Sequence, residues 1–373
     1  MTDTPHELSV LRHEVRALLD QWRAQEWFVP RCDAWLRGYD LDFSRALAER
    51  GWIGITWPTR LGGGARSNLA RLVVTEELLM AGAPVAAHWI SDRQIGPAIL
   101  RYGSPRLQEE FLPAITSAQV MFCLGMSEPE AGSDLAAVRT RAERVAGGWH
   151  VTGTKIWTSQ AHRSTHAYVL ARTGAADPKH ENLTEFVLDL SAPGVTVRPI
   201  IDMAGEHHFN EMIFDGVFVP EHWTIGEPGN GWHQVTEQLA FERGGPERLL
   251  STFPLLHTLI DRTDPQDRHA RRTVGRLAAR LLVLRRMAWE IAAAMDAGAA
   301  PVHKAAMLKG MGTTFEREVV EAAGELLDTE PDPTGAGAAR LLADGVLAAP
   351  GFSIRGGTTE ILATIVAREE VRR

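Results

Sequence analysis

The chain has 373 residues, enough for two or three domains, and its 45% hydrophobic and 23% charged residues exclude a disordered chain. Its 39 basic and 47 acidic residues give a net charge of −8. This charge argues against general electrostatic binding to nucleic acid or anionic lipid, so an anionic ligand must be bound by local contacts.

Three further features predict a cytoplasmic protein without a membrane partner. The two cysteines, Cys32 and Cys123, are too few for a disulfide framework and have no partners at metal-ligand spacing. The N-terminal residues lack the basic segment and apolar core of a secretory signal. The longest uncharged apolar run, residues 78–90, is too short to span a bilayer.

The first third of the chain predicts helices joined by loops. Apolar residues recur at intervals of three and four, as on one face of a helix, from residue 7 to residue 25. Further helices are expected over residues 43–50, 69–80, 94–102 and 107–115. Residues 51–64 contain too many glycines and prolines for a regular helix and are expected to form an ordered loop.

The next hundred residues change to short runs rich in β-forming residues, separated by Gly, Pro, Asn or Asp. The predicted strands are 139–145, 149–157, 165–172, 183–190, 195–200 and 211–219. Six strands at this spacing, with no helices between them, predict a small antiparallel barrel or sandwich of about a hundred residues.

Helical periodicity returns from Trp232 onward in three or four long segments, of which residues 271–295 are the clearest. Breaks are expected at 298–301 and 329–335, and these lengths favour a bundle. The predicted fold is therefore α+β and multidomain. Its predicted domains are a helical domain over 1–122, a β-domain over 123–228 and a helical bundle over 229–373.

Two short segments carry the candidate chemistry. Met126–Asp134 combines hydroxyls, carboxylates, a turn-forming proline and a Gly-Ser pair, which suits a loop that offers hydroxyls and backbone N–H groups to an anionic cofactor. Lys155–Ser159 places an indole and two hydroxyls at the end of a predicted strand. We interpret both as flavin contacts, and an ordinary serine-rich turn is the alternative for the first segment.

With these segments, the chain resembles the acyl-CoA dehydrogenase family over nearly its whole length. Met126–Asp134 matches the first family signature position by position, and Lys155–Ser159 looks like the strand that flanks the isoalloxazine ring. Gly356–Ile361 resembles the C-terminal segment that holds the thioester and the adenylate half of FAD. The resemblance implies an N-terminal helical domain, a central antiparallel β-barrel and a C-terminal four-helix bundle.

The resemblance also implies the reaction, which is α,β-dehydrogenation of an acyl-CoA to the 2-enoyl-CoA. In that reaction a carboxylate removes the α-proton while hydride leaves the β-carbon for flavin N5. A base in a desolvated pocket suits the first step, because burial raises the pKa of a Glu toward neutrality. Hydrogen-bond donors are needed at the thioester oxygen, where enolate charge develops. The implied electron acceptor is an electron-transfer flavoprotein or a similar protein.

Residues are assigned to these tasks by the resemblance. The implied flavin contacts are Leu124, Met126, Ser127, Gly132, Ser133, Trp157, Thr158, Ser159, Thr358 and Glu360. The implied substrate contacts are Ser133, Arg243, Gly356 and Gly357. For Arg243, a helix-surface arginine is the alternative interpretation. The adjacent pair His207–His208 is not expected to bind a metal, because neighbours on a strand point to opposite faces.

The catalytic base is assigned to Glu242. Many family members carry a Glu directly before the Gly-Thr of the C-terminal segment, where this chain has Gly356. A branch resembling isovaleryl-CoA dehydrogenase instead carries the Glu after the β-domain, in a Leu-x-x-Glu-Arg context that Glu242 matches. Gly356 is then expected to leave room for Glu242. The alternative is that Glu242 only pairs with Arg243 or another neighbour.

Two family elements that reach a partner's flavin, Arg-x-x-Phe-Gly and Gln-x-x-Gly-Gly, are not recognisable. Residues 264–268 and 331–337 stand in their place. Such departures resemble family members that share one flavin per heterodimer, so a homo- or hetero-oligomer, a dimer or tetramer, is expected. The alternative function is therefore a non-catalytic or half-site subunit of a heteromeric acyl-CoA dehydrogenase. An oxidase, or an enzyme for carrier-protein thioesters, is a third possibility.

Overall fold

A computed structural model describes residues 3–242 and 244–372 of the chain, and the backbone alone for 239–242 and 369–372. The chain divides into two compact units. The first contains the described parts of 1–39, 66–85 and 239–373, and the second contains 40–65 and 86–238. The boundary near residue 238 falls inside a helix.

The secondary structure follows the order helices, strands, helices. The N-terminal helices are α1 (Pro5–Ala24), α2 (Ala34–Arg37), α3 (Leu41–Ala48), α4 (Asn68–Met80), α5 (Ala86–Ile90), α6 (Gly96–Tyr102) and α7 (Pro105–Thr116). The strands are β1 (Phe122–Gly125), β2 (Arg141–Val145), β3 (Gly148–Ser159), β4 (His166–Arg172), β5 (Leu183–Asp189), β6 (Val195–Ile201), β7 (His207–Pro220) and β8 (Thr224–Ile225). The C-terminal helices are α8 (Gly231–Glu242), α9 (Phe253–Arg262), α10 (Arg268–Asp296), α11 (Val302–Leu326), α12 (Gly337–Phe352) and α13 (Thr359–Arg372).

In the first unit, α1 begins with a capping box. The Thr4 hydroxyl accepts a hydrogen bond from the Glu7 backbone N–H at 3.3 Å, and the Glu7 carboxylate accepts one from the Thr4 N–H at 2.7 Å. These two bonds satisfy N–H groups that the first helical turn leaves unpaired. The apolar face of α1, predicted from its periodicity, is buried, and α1 packs against α4.

Two buried carboxylates of α4 join three helices of the first unit. Glu77 is bound by Arg12 and Arg16 of α1, and Glu76 is bound by Arg285 of α10 at 2.9 and 3.0 Å. Buried carboxylates with charged hydrogen bonds are tolerated because the guanidinium groups replace the lost water. Helical periodicity predicted the position of α4, whereas only the packing shows where its acidic side chains find partners.

The second unit is built around an eight-stranded sheet. Its strand order is β6-β7-β3-β2-β4-β5-β8, and β1 pairs in parallel with β4 beside this path. The six predicted strands are present, and the structure adds β1 and β8, which are too short to show a periodicity. Among the described residues the hydrogen-bonded path does not close, so the predicted closed barrel is not confirmed.

The long antiparallel pair β3–β7 positions the end of β3. Its register shifts between Lys155 and Thr158, so that Trp157 adopts the left-handed conformation, with φ at +60°. A β-bulge of this kind re-aims a side chain at the end of a ladder. Within the described residues, no helix has the length and apolar character needed to cross a membrane.

Candidate functional site

The second unit brings the two predicted flavin segments together. Lys155 of β3 is fully buried, and its ammonium group donates hydrogen bonds to the Met126 carbonyl at 3.0 Å and to Glu128 at 2.8 Å. The backbone N–H of Ile156 donates to the Ser127 carbonyl at 2.9 Å. The loop after β1 is therefore fastened to β3 by side-chain and backbone bonds.

Glu128 is the centre of this fastening. Its carboxylate also accepts hydrogen bonds from the backbone N–H groups of Arg139 at 2.6 Å and Thr140 at 2.9 Å. Burial opposes ionisation of Glu128, but Lys155 and these donors hold its pKa below the usual value. Burial lowers the pKa of Lys155 to about 8, against the opposing attraction of Glu128. Both groups are charged at neutral pH, so this is a buried ion pair.

The end of β3 presents one exposed indole and one buried hydroxyl. Trp157 is 58% exposed and makes an edge contact with Phe209, with ring centroids 5.8 Å apart. Thr158 is buried and its carbonyl accepts a hydrogen bond from Asn210 at 3.0 Å. Its hydroxyl oxygen is buried without a hydrogen-bond partner among the described residues. Since buried polar atoms normally have partners, this hydroxyl fits a polar group of a bound cofactor.

The remaining flavin candidates of this unit lie nearer the surface. Leu124, Met126, Ser127 and Ser159 are partly buried, whereas Gly132 and Ser133 are exposed. A Cβ added at Gly132 would meet no atom of the chain within 4 Å. The packing of the chain itself therefore does not require glycine there, and the position is open to a ligand.

The predicted thioester and adenylate residues belong to the first unit. Gly356 and Gly357 both have left-handed backbones, with φ at +65° and +94°, which glycine adopts without strain. The buried Lys309 of α11 donates a hydrogen bond to the Gly357 carbonyl. Thr358 accepts a 3.4 Å bond from the Ile361 N–H at the start of α13, and Glu360 is exposed.

An arginine side chain lies beside Gly356. A Cβ added at Gly356 would lie 2.9 Å from Nη2 of Arg248 and 3.2 Å from its Cζ atom. The guanidinium group of Arg248 therefore lies beside Gly356. That Gly356 leaves room for Glu242 stays a prediction. Arg248 is six residues after Glu242, and no sequence motif indicated it.

The predicted base lies at the edge of the described structure. The backbone of α8 ends at Glu242. The Glu242 side chain and the whole of Arg243 lie outside the described residues. Their roles therefore stay predictions.

Sequence reasoning missed a buried acid in the second unit. Glu185 of β5 is fully buried and accepts a hydrogen bond from Gln234 of α8 at 2.7 Å. Gln238, one turn later, donates to Glu185 at 3.2 Å and to the Tyr168 hydroxyl at 2.6 Å. Burial raises the pKa of Glu185 to about 7. This network holds α8 against β4 and β5. The sequence feature that could have indicated it is the charged Glu185 within the otherwise apolar strand β5.

No metal site is found in the part of the chain that the structure describes, where no three His, Cys, Asp or Glu residues are arranged to hold an ion. The imidazole of His207 bonds the Asn210 side chain at 2.8 Å and stacks on His162, with ring centroids 3.9 Å apart. His208 instead lies 3.5 Å from Asp202. The two adjacent histidines thus face different partners.

The sequence matches three family profiles in chain order. They are "Acyl-CoA dehydrogenase, N-terminal domain" over residues 6–119, "Acyl-CoA dehydrogenase, middle domain" over 123–217 and "Acyl-CoA dehydrogenase, C-terminal domain" over 259–370. The helix-strand-helix order of the structure agrees with this succession.

Two proteins of Mycobacterium tuberculosis are similar to the chain. Acyl-CoA dehydrogenase FadE26 is 30% identical over 303 residues, which are 76% of this chain and 74% of that protein. Acyl-CoA dehydrogenase FadE34 is 34% identical over 336 residues, which are 86% of this chain and 45% of that protein. The chain therefore belongs to the acyl-CoA dehydrogenase family, whose members are flavin-dependent oxidoreductases. It spans about half the length of FadE34.

A solved structure shows the same fold. The crystal structure of the ChsE4-ChsE5 complex from Mycobacterium tuberculosis matches with a TM-score of 0.84 and 26% identity. The match covers 100% of this chain and 99% of that chain.

Replacing Lys155 by Met tests the ion pair that fastens the loop Met126–Asp134 to β3. Because the change leaves Glu128 buried without its cation, we expect a loss of about 3 kcal/mol in unfolding free energy. Urea denaturation of the purified protein measures it. The matched control is Lys179→Met, which removes an exposed ion pair with Asp134 at 2.8 Å and should cost less than about 1 kcal/mol. Equal losses in the two variants would contradict the role given to Lys155.

Replacing Glu185 by Gln tests the raised pKa of that residue. In the unfolded chain Glu185 ionises near its ordinary pKa of 4.5, whereas in the folded protein it keeps its proton up to about pH 7. Its contribution to stability therefore falls as the pH rises through this window. As the pH rises from 4.5 to 7.5, the unfolding free energy of the variant minus that of the wild type should therefore increase by up to about 3 kcal/mol.

Denaturation curves of both proteins across this pH range measure the difference. The buried Glu316, whose pKa burial also raises to about 7, is present in both proteins and cancels in the comparison. A stability difference that does not change with pH would show that Glu185 has the same pKa in the folded and the unfolded protein.

Proposed function

We propose that the chain catalyses flavin-dependent α,β-dehydrogenation of an acyl-CoA thioester to the 2-enoyl-CoA, with Glu242 as the base. The observation that carries this proposal is the buried Lys155–Glu128 pair, which fastens the loop Met126–Asp134 to the strand that ends in Trp157–Ser159. Membership of the acyl-CoA dehydrogenase family supports the same reaction.

The residues predicted to contact the flavin ring of FAD lie in the second unit. We assign the ring contacts to Leu124, Met126, Ser127, Trp157, Thr158 and Ser159. The buried hydroxyl of Thr158 has no hydrogen-bond partner in the described part of the chain and could bond the ring. The exposed indole of Trp157 offers a flat apolar surface. Bound FAD would accept the hydride that leaves the β-carbon. Gly132 and Ser133, on the exposed part of the loop, are assigned to the diphosphate or the pantetheine arm.

In the first unit, we assign the thioester and adenylate contacts to Gly356, Gly357, Thr358 and Glu360. The left-handed backbone at Gly356 and Gly357 and the bond from Lys309 to the Gly357 carbonyl fix the direction of this segment. The backbone N–H of Gly357 would then donate to the thioester oxygen and stabilise the enolate charge. Arg243 is assigned to the CoA moiety.

Glu242 would take the α-proton on its carboxylate. Gly356 has no side chain to do so, and Glu242 occupies the base position of the branch that resembles isovaleryl-CoA dehydrogenase. An electron-transfer flavoprotein or similar protein is the proposed electron acceptor.

Replacing Glu242 by Gln tests the assignment of the base. The amide cannot accept the α-proton, so kcat should fall by at least about 1,000-fold, while the visible flavin spectrum stays unchanged. Acyl-CoA-dependent reduction of an artificial electron acceptor measures it. The matched control is Glu237→Gln on the same helix, where Glu237 bonds Tyr102 and Arg101 at the protein surface. Substantial activity in Glu242→Gln would place the base elsewhere.

The second candidate function is a non-catalytic or half-site subunit that completes a partner's active site. One observation favours it: a similar structure is a complex of two proteins, ChsE4 and ChsE5. Purification of the chain alone separates the two functions. A yellow preparation that reduces an artificial acceptor with acyl-CoA supports the complete enzyme, whereas flavin and activity that appear only with a second subunit support the half-site.

A further inference from the structure

Arg248 is held tightly beside Gly356 in the first unit. A Cβ added at Gly356 would lie 2.9, 3.2 and 3.3 Å from the Nη2, Cζ and Nη1 atoms of Arg248. The guanidinium group as a whole thus faces the glycine. Contacts below 3.0 Å require one of the two groups to move, so the consequence depends on how freely Arg248 moves.

The side chain of Arg248 has little freedom. It is 3% exposed, and its guanidinium carbon lies 5.1 Å from the ring centroid of Trp35. Its Nε atom lies 3.5 Å from the carboxylate of the buried Glu247. Cation–π contact and a buried counter-ion both favour this one position over a rotated side chain.

The surroundings of Arg248 are fixed as well. The Trp35 indole N–H donates to the Ser251 hydroxyl at 3.0 Å, and that hydroxyl donates to the Glu247 carbonyl at 2.8 Å. The carbonyl oxygen of Arg248 lies only 2.1 Å from where a Cβ of Gly312 would be, so glycine in α11 permits this close approach. Both the backbone and the aromatic support of Arg248 are therefore constrained.

The turn at Gly356 is fastened on both sides. Before it, the partly buried Arg355 donates a 2.7 Å hydrogen bond to Asp33, and its guanidinium carbon lies 4.8 Å from the Trp35 ring centroid. After it, Lys309 bonds the Gly357 carbonyl. Trp35 thus supports both the arginine that precedes the turn and the arginine that packs beside it.

We propose that Arg248 is a positioning residue for the reaction. Its guanidinium group packs against the side-chain-free face of Gly356 and holds the left-handed turn that presents the Gly357 N–H. It also keeps position 356 closed to any side chain, so a catalytic base must come from elsewhere in the chain. This inference rests on the proposed function, because only that function gives the Gly357 N–H a thioester to bind.

A double-mutant cycle tests the coupling between the two positions. The variants are Arg248→Met, Gly356→Ala and their combination in the full FAD-loaded protein, with its partner subunit if one is required. The methionine side chain ends at the level of the arginine Nε atom, so the change removes the three atoms that face Gly356. Steady-state kcat and KM with an acyl-CoA substrate, and thermal unfolding, are measured for each protein.

With Arg248 present, Gly356→Ala should lower kcat by more than about 10-fold and change KM by less than about 3-fold relative to the wild type. The reason is that a displaced turn weakens binding of the transition state more than binding of the substrate. In the Arg248→Met background, Gly356→Ala should lower kcat by less than about 3-fold. Non-additivity of this kind identifies residues in contact. If Gly356→Ala lowers kcat by the same factor in both backgrounds, the proposal is overturned.

Gly337→Ala is the matched control for backbone strain. Gly337 lies in the same unit and also has a left-handed backbone, with φ at +59°, but a Cβ there would meet nothing within 4 Å. Its substitution should lower the unfolding temperature equally in the wild-type and Arg248→Met backgrounds. Gly356→Ala should lower it more in the wild-type background than in the Arg248→Met background.

The thermal measurement also separates this inference from the proposed function. If Glu242→Gln keeps full activity or no acyl-CoA is oxidised, the proposed function fails while the thermal coupling between positions 248 and 356 still reports the packing. If the thermal coupling is present but kcat shows none in an active enzyme, Arg248 is structural and the positioning role is overturned.

Discussion

The buried ion pair between Lys155 and Glu128 is the constraint on which the candidate flavin site depends. A loop with glycine, proline and serine has little tendency to hold one conformation by itself. Here one ammonium group bonds both the carbonyl of Met126 and the carboxylate of Glu128, and that carboxylate also receives two backbone N–H groups. Removing any one of these groups would leave others buried and unpaired, so the loop and the strand form a single element.

The first unit uses buried charge in a similar way around its own candidate residues. Arg355 and Arg248 lie against one indole, Trp35, and Asp33 and Glu247 supply negative charge beside them. Such groups cost more to bury than apolar side chains, and their benefit is a defined geometry. The turn at Gly356 lies between these groups, directly after Arg355 and beside Arg248.

Much of the fold could be predicted from the sequence. Apolar spacing located α1, α3, α4, α6, α7 and α10 within a few residues, and β-rich runs located the six longer strands, because burial of one face imposes a period on the chain. Sequence pattern could not predict the short strands β1 and β8 or whether the sheet closes. The hydrogen-bond partners of Glu128 and Glu185 were also missed, and so was the packing of Arg248 against Gly356. These groups come from distant segments, and no spacing rule connects them.

The sequence by itself determined the family, and it predicted the two candidate flavin segments, because these depend on short motifs of fixed spacing. Only the tertiary structure decided how these residues are supported. It joined Met126–Asp134 to β3 through Lys155, and it placed Arg248 beside Gly356. The physical reason is that burial and hydrogen bonding depend on all the segments that meet at a point, whereas a motif contains only one of them.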